Sequence, residues 1–246
     1  MRFVTGAALA LGLITCGAAR ADEIQLPPAH YPHIPMVRSH IEDFVPAGWA
    51  IESRQTGDLN GDGAEDTVLV LRGRDPALVL PNTQGLGEDH VDSNPRILAV
   101  IFADPGGIHH LAMENHLLIP RMSNPVLSDY LEDGGVVVAN GVMRVTLGLF
   151  YSAGSWETSS MVFTFRWHHS RFELIGYDHR TMLRNSGDAD EMSLNYSTGA
   201  VELTHSNDMA ETTPRTRRTH VRRPILTIDQ IGDGIAFDPH VQVRAP

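Results

Sequence analysis

The sequence contains no lysine, so every basic side chain other than histidine is an arginine. This absence excludes the chemistry of a lysine amine: Schiff-base catalysis, a lysine general base and the phosphate-binding lysine of a P-loop. Arginine usage of this kind is typical of a bacterial genome rich in G and C.

The chain has a single cysteine, Cys16, and that residue lies in an N-terminal segment with the composition of a secretory signal. In "MRFVTGAALALGLITCGAARA", Arg2 precedes an apolar run that is too short to span a bilayer as a helix, and an A-R-A motif for signal peptidase follows. Residues 1–21 are therefore predicted to be a signal peptide, with Asp22 as the first mature residue. The predicted location is the periplasm or the extracellular medium.

Lipid attachment at Cys16 is the less favoured alternative, because the residue before the cysteine, Thr15, suits a lipoprotein box poorly. Cleavage after Ala21 leaves no cysteine, so the mature protein is predicted to fold without disulfides although its compartment permits them. About 225 residues can bury a core sufficient for that.

The mature chain has little positive charge. Cleavage removes Arg2 and Arg20 from 19 arginines, which leaves 17 against 30 acidic residues and a net charge of −13 with histidine neutral. This balance argues against nucleic acid as a partner. No later segment is long and apolar enough to form a transmembrane helix.

The hydrophobic pattern predicts a mainly β fold built of antiparallel sheets and hairpins. Residues 22–35 are proline-rich and indicate an extended arm, and residues 36–246 are predicted to form a single β-rich domain. "MVRSHIEDF" has helical spacing and predicts one short N-terminal helix that ends before Pro46. Nine or ten strands are expected, with "PILTID" as the last one and residues 82–95 as a polar surface loop.

Several segments carry the strand prediction. "WAIESRQT", "DTVLVLRG", "RILAVIFA", "VMRVTLGLF" and "MVFTFRW" are rich in β-branched or aromatic residues. "HHSR" predicts a turn into "FELIGYD", and residues 197–199 predict the turn of another hairpin. The predicted strands do not alternate with helices, so a parallel sheet is not expected.

The segment "GDLNGDGAED" concentrates oxygen-bearing side chains within nine residues. Asp58, Asn60, Asp62 and Asp66 stand at the first, third, fifth and ninth positions of residues 58–66, and the main-chain carbonyl of Ala64 could add a fifth oxygen. Calcium prefers six to eight oxygen ligands, whereas clustered carboxylates without a cation repel one another. We therefore expect one calcium ion at this loop.

This pattern is not that of an EF-hand, because the twelfth position is Leu69 rather than a bidentate glutamate and the flanks are predicted strands. The form D-x-N-x-D-G-x-x-D between strands resembles the calcium loops of FG-GAP and VCBS repeats. That resemblance implies that Asp58, Asn60, Asp62 and Asp66 are the side-chain ligands. Propellers repeat the loop, and this chain has it once, so a full propeller is not expected.

Over most of the mature chain, the order of features also resembles small bacterial exported proteins. These carry "GDLNGDG" followed by "VLVL", a Trp- and Phe-rich hairpin like "FTFRWHHSRFELIGYD", and a strand like "SLNYSTG". The resemblance implies secretion and one calcium-type loop, and it implies no particular activity. The simpler interpretation of "NGDG" is a hairpin turn in which Asp and Asn side chains bond the local main chain.

A second feature is the arginine-rich segment "PRTRRTHVRRP", which reverses the acidic charge of the chain locally. Its members are Arg215, Arg217, Arg218, Arg222 and Arg223. Such a run could bind an anionic partner such as lipopolysaccharide or an acidic protein. Alternatively, it is a solvated loop whose arginines pair with carboxylates of the same chain.

Thirteen histidines raise the possibility of a transition-metal site. The candidates are His30 with His33 and the adjacent pairs at 109–110 and 168–169. Neighbours in a strand point to opposite faces, so neither adjacent pair is expected to chelate a metal as a unit. Surface and turn positions are the expected role of these histidines.

Signatures of catalysis are scarce. "YSAGSW" is not a nucleophile elbow, and Asp178 and His179 are strand neighbours that face opposite ways. The leading hypothesis is an exported, non-enzymatic binding or envelope protein with one structural calcium site. The alternatives are a periplasmic hydrolase that uses a metal at the same loop, and a module that binds anionic polymers through the arginine-rich segment.

Overall fold

A computed structural model describes residues 24–83, 85–210 and 213–241. The predicted signal peptide, Cys16 included, lies outside the described residues. The strands are β1 (Val37–Arg38), β2 (Trp49–Gly57), β3 (Asp66–Gly73), β4 (Val79–Pro81), β5 (His90–Asp92), β6 (Arg96–Asp104), β7 (Ile108–Asn115), β8 (Gly135–Ala139), β9 (Val142–Phe150), β10 (Glu157–His168), β11 (Arg171–Leu183), β12 (Asp188–Asn195), β13 (Ala200–Asn207) and β14 (Arg215–His220).

The strands form two large antiparallel sheets and one small one. The first sheet has the order β1-β7-β6-β3-β2, the second β14-β13-β12-β11-β10-β9-β8, and β4 pairs only with β5. Strands adjacent along the chain mostly pair as hairpins. The predicted mainly β, antiparallel fold is therefore confirmed, and the described residues do not form a propeller.

Strand β3 lies between two hydrophobic cores, which explains why its central residues, 68–71, are apolar without interruption. Val68 and Val70 contribute to the main core, which also contains Phe163 of the second sheet. Leu69 and Leu71 point the other way, into a second core on the outer face of the first sheet. Successive side chains of a strand alternate between faces, so a strand buried on both sides needs apolar residues at every position.

The N-terminal arm and the predicted helix cover that second core. Ile34 and Phe44 are fully buried there, and Tyr31 packs at its edge. The helix is a single 3-10 turn, Ile41–Phe44, and the residues just before it pair with β7 as β1. The other two helices of the described residues are also 3-10 turns, Pro76–Leu78 and Ile228–Gln230, and none of the three could cross a membrane.

One buried arginine beside the first sheet, Arg96, is paired with partly exposed carboxylates. The Arg96 side chain is only 2 % exposed, and its Nε donates to Glu52 Oε2 at 2.6 Å. Its Nη2 donates to Asp129 Oδ2 at 2.5 Å. Arg72 Nη1 contacts the same Glu52 at 2.9 Å. Buried charges require such partners, because an unpaired ion inside a protein is strongly destabilising.

The structure corrects three sequence predictions. The described residues contain fourteen strands rather than nine or ten. Residues 82–95 are not simply a surface loop, because β5 lies within them and Ser93 and Asn94 are buried. "PILTID" is not a strand: it has one isolated bridge, at Thr227, and leads into a 3-10 turn, while the arginine-rich segment forms the last strand.

Candidate metal centre

The acidic loop connects β2 to β3, as the flanking sequences predict. Gly57 and Asp66 are paired residues at the base of this hairpin, and the loop between them contains the other candidate ligands. Gly61 and Gly63 have φ angles of 82° and 86°. This left-handed conformation is strained for residues with a Cβ, so the two glycines are what allow the loop to turn back on itself.

Hydrophobic packing attaches the loop to the body of the protein. Leu59, between the first two candidate ligands, is 3 % exposed and belongs to the main core. The side chain of Asp62 is on the exposed outer part of the loop, whereas Asp58 and Asn60 are half-buried. The loop is thus fixed at one end by burial and open to solvent at the other, which leaves an ion a route of entry.

The side chains of Asp58, Asn60 and Asp62 each accept a hydrogen bond from a nearby main-chain amide. Asp58 Oδ1 accepts from Gly61 N at 2.7 Å, and its Oδ2 accepts from Gly63 N at 3.0 Å. Asn60 Oδ1 accepts from Asp62 N at 2.9 Å, and Asp62 Oδ1 accepts from Ala64 N at 2.8 Å. These are the local turns of the simpler interpretation. They leave room for an ion, because an ionised carboxylate has about four acceptor sites.

Asp66 differs from the other candidate ligands because it is completely buried. Its Oδ2 accepts from Leu59 N at 2.8 Å, and its Oδ1 accepts from the amide of Ala103 on β6 at 3.2 Å. No arginine or histidine among the described residues forms an ion pair with it. Asp66 therefore places a carboxylate in the interior with main-chain amides but no cationic side chain around it.

The electrostatics of the loop follow from this burial. Burial raises the pKa of the Asp66 carboxyl, hydrogen bonds from main-chain amides oppose that effect, and the charge of Asp62 adds to it. In contrast, hydrogen bonds from the Ala64 amide and the Asn60 side chain lower the pKa of Asp62. A cation beside both carboxylates would favour the ionised form of each.

The carboxylates of the loop are not drawn together as tightly as ligands around an ion. Among the described residues, one group of three His, Cys, Asp or Glu side chains has its ligand atoms within 4.8 Å of one another. That group is His168, His169 and Glu173, at the β10–β11 turn. Calcium at the acidic loop would therefore have to draw the oxygens of Asp58, Asp62 and Asp66 closer together.

The grouping of His168 with His169 contradicts the expectation that adjacent histidines face opposite ways. His169 and Ser170 have φ angles of 50° and 59°, so the alternation of a strand ends at His168. His168 Nδ1 lies 3.2 Å from Glu173 Oε2, and His169 Nδ1 lies 3.4 Å from Glu173 Oε1. Glu173 was absent from the sequence prediction, although the register of the predicted "HHSR" hairpin could have suggested it.

The other histidine candidates are dispersed. His30 and His33 lie on the N-terminal arm, and both are exposed. His110 on β7 faces Asp104, with 3.0 Å between Nδ1 and Oδ2, and it is near enough to Asp62 to lower that residue's pKa slightly. Neither arrangement belongs to a group of three potential ligands within the described ranges.

The arginine-rich segment forms an edge strand, β14, rather than a loop. Arg218 lies opposite Glu202 of β13, and its Nε donates to the glutamate at 2.7 Å. The side chains of Arg215 and Arg217 are exposed on the same strand. Arg223, beyond the strand, donates to the main-chain carbonyl of His240. Charged side chains on an edge strand also discourage pairing with other chains.

The structure also bears on the catalytic candidates. Asp178 is exposed, whereas the neighbouring His179 is half-buried beside Tyr177 with 6.3 Å between ring centroids. Burial lowers the pKa of His179. The two side chains are on opposite faces of β11, as expected from strand geometry. They do not form an acid–base pair.

Comparison of the chain with models of protein families, with curated proteins and with solved structures gives no match in any of the three. The features of the described residues that bear on function are therefore the acidic loop, the β10–β11 turn and the β14 edge strand.

Proposed function

We propose that the protein is an exported, non-enzymatic β protein in which one calcium ion stabilises the β2–β3 loop. The observation that carries the proposal is the buried carboxylate of Asp66, which has no cationic partner among the described side chains. A buried anion is costly unless a positive charge compensates it. The exposed side of the loop offers the remaining ligands for a cation at that position.

The chemistry of the donors favours calcium over other ions. The proposed ligands, Asp58, Asn60, Asp62, Asp66 and the carbonyl of Ala64, are all oxygen atoms. Calcium accepts six to eight such ligands in flexible geometry, whereas magnesium demands near-ideal octahedral geometry and gives up its waters reluctantly. A loop turned by two glycines and still open to water suits the more tolerant ion.

The ion would have a structural role, because the loop joins several parts of the fold. The Asp66 carboxylate accepts a hydrogen bond from the amide of Ala103 on β6, and the Leu59 side chain packs in the main core. Calcium at Asp66 would reinforce the β2–β3 hairpin and its contact with β6. A binding partner would then meet another surface of an exported, strongly acidic protein.

The proposal is tested by thermal unfolding of the chain from Asp22, first in EDTA and then with calcium or magnesium. Calcium at 100 times its Kd should stabilise the protein by about 2.7 kcal/mol if it binds only the folded form. Asp62→Ala should remove this increment and leave the stability in EDTA almost unchanged. Glu65→Ala is the matched control, because Glu65 is exposed in the same loop and is not a proposed ligand.

The proposal fails if calcium does not raise the unfolding temperature, or if the Asp62 variant responds to calcium as fully as the parent. An equal rise with magnesium would show that the loop holds a less selective cation site. An equal loss of the calcium response in the Glu65 variant would indicate a nonspecific effect of negative charge.

A second candidate function rests on the exposed arginines of the β14 edge. Arg215 and Arg217 could bind an anionic polymer at the envelope, with an affinity that falls as salt screens the charges. Binding of the chain to dextran sulfate at increasing salt concentration tests this, with the double variant Arg215→Ala, Arg217→Ala. The control is the double variant of two distant arginines, Arg38→Ala and Arg54→Ala. Equal binding by both double variants would contradict the idea.

A further inference from the structure

The tight turn between β10 and β11 brings two histidines to one glutamate. His168 is the last residue of β10, Arg171 is the first of β11, and the two are paired across the turn. The residues between them, His169 and Ser170, are both left-handed, as in a type I′ hairpin. This backbone turns the His169 ring back toward Glu173, beside the His168 ring, with 3.6 Å between the two ring centroids.

Glu173 is held rigidly where the histidines meet it. Its side chain is only 5 % exposed, whereas those of His168 and His169 are 58 % and 68 % exposed. Glu173 forms a bridge with Thr227, and the amide of Leu174 donates to the Leu226 carbonyl at 2.8 Å. The main chain at Glu173 is therefore attached to the neighbouring segment at 226–227, and its buried side chain meets two histidines that are exposed to solvent.

The spacing of the ligand atoms suits a small cation. The two Nδ1–Oε distances are 3.2 Å and 3.4 Å, one from each histidine to a different oxygen of Glu173. In a tetrahedral zinc site with bonds of about 2.0–2.1 Å, neighbouring ligand atoms are about 3.3 Å apart. A zinc ion could join these three side chains with small movements of exposed rings and no movement of the strands.

Arg171 is the competitor for the same carboxylate. Its Nε and Nη2 both lie 2.9 Å from Glu173 Oε1, and its side chain is 54 % exposed. Burial alone would raise the pKa of Glu173, but hydrogen bonds from Arg171 and the two histidines outweigh burial and lower it. The guanidinium can swing into solvent when a metal takes its place.

We propose that His168, His169 and Glu173 form a site for a borderline divalent cation such as Zn²⁺, with the outer coordination position open to water. Two imidazoles and one carboxylate are a donor set that zinc accepts, whereas calcium prefers oxygen atoms alone. The site is separate from the calcium loop and does not depend on it.

The first experiment is a calorimetric titration of the chelator-treated chain with ZnCl₂ in excess calcium, which occupies any oxygen-only site. One zinc ion should bind per chain. His169→Ala should weaken binding by more than about ten-fold, since loss of even an outer partner of a ligand costs about 10–100-fold. His205→Ala is the matched control, because His205 also faces one carboxylate, with Nδ1 2.9 Å from Asp190 Oδ1, but belongs to no three-ligand group among the residues that the structure describes.

The role of Arg171 supplies a second readout. If the arginine competes for Glu173, Arg171→Gln should bind zinc several-fold more tightly than the parent. Co²⁺ at the site should show the visible absorption of tetrahedral coordination in the parent and lose it in His169→Ala. Absence of zinc binding would overturn the proposal. So would parent-like affinity in His169→Ala, or equal weakening by His205→Ala. Weaker binding by Arg171→Gln would overturn the role of Glu173 as a ligand.

Discussion

The guanidinium of Arg96 donates to the carboxylate of Asp129 over 2.5 Å, and this contact joins β6 to a segment distant in sequence. Burial and the hydrogen bond act in opposite directions on Asp129: burial would raise its pKa, but Arg96 outweighs that effect and lowers it. The same arginine also holds Glu52, so one buried cation serves two carboxylates.

Removing this cation should be costly. Arg96→Met would remove the buried partner of two partly buried carboxylates and leave them, among the described residues, only the more exposed Arg72. We expect a loss of about 3 kcal/mol in the free energy of unfolding. Urea denaturation at neutral pH measures it. Arg54→Met is the control: its ion pair with Glu42 is exposed, so the loss should be below about 1 kcal/mol. Equal losses in the two variants would contradict the proposed importance of burial.

The buried Asp66 predicts a specific dependence of stability on pH. Its pKa is raised in the folded protein above the value of about 3.9 expected in the unfolded chain. The folded state then holds its proton longer, so stability is fully present at low pH and falls as pH rises through the raised pKa. In EDTA, the parent should lose stability relative to Asp66→Asn as pH rises from about 4.

Urea denaturation of both proteins between acidic and neutral pH measures this difference. The informative quantity is how the difference in stability between the two proteins changes with pH. Its absolute size is not informative, because the side-chain amide of the Asp66→Asn variant also alters the hydrogen bonds to Leu59 and Ala103 at every pH. Calcium should reduce the dependence, since the ion favours the carboxylate. A difference between the two proteins that stays constant with pH in EDTA would show that Asp66 is not destabilised by its charge.

The N-terminal arm is predicted to be part of the folded core. Ile34 is completely buried against the outer face of the first sheet, so Ile34→Ala should cost about 2–5 kcal/mol. Val37→Ala is the control from the adjacent strand, because Val37 is 52 % exposed and should change stability by less than about 0.5 kcal/mol. Urea denaturation of the two variants measures both losses of stability. A small effect at Ile34 would mean that the arm is dispensable.

The β10–β11 turn should carry backbone strain at Ser170, whose φ is 59°. A left-handed residue with a Cβ costs about 1–2 kcal/mol, and glycine avoids this cost but loses more entropy on folding. Ser170→Gly should therefore stabilise the metal-free protein by about 0.5 kcal/mol. Ser159→Gly, within β10, should destabilise it by about 0.5–1 kcal/mol. Thermal unfolding measures the stability of the two variants. If Ser170→Gly were less stable than the parent, the predicted backbone strain at Ser170 would be contradicted.

Local patterns were sufficient for the hairpins. The strands on either side of the acidic loop, the turn at "HHSR" and the hairpin closed at 197–199 all follow from alternation and from turn residues that adopt their conformations locally. The candidate calcium ligands lie within nine consecutive residues, so the site can be predicted from their spacing along the chain. Calcium binding itself stays a prediction.

The long-range features could not be predicted in this way. Arg96, Glu52 and Asp129 are far apart in sequence, and nothing in their local patterns indicates that they meet. "PILTID" has strand composition, but only Thr227 pairs, whereas the charged segment at 215–220 completes the sheet. Composition predicts which residues suit a strand; the free edge of β13 decides which segment pairs with it.

The sequence by itself determined the absence of lysine chemistry, the mainly β class and the set of oxygen donors at 58–66, because each depends on composition or on neighbours along the chain. The tertiary structure decided that Asp66 is buried with no cationic partner in the described part of the chain, and that Glu173 lies beside two histidines. The physical reason is that burial and ion pairing are produced by segments that meet only on folding.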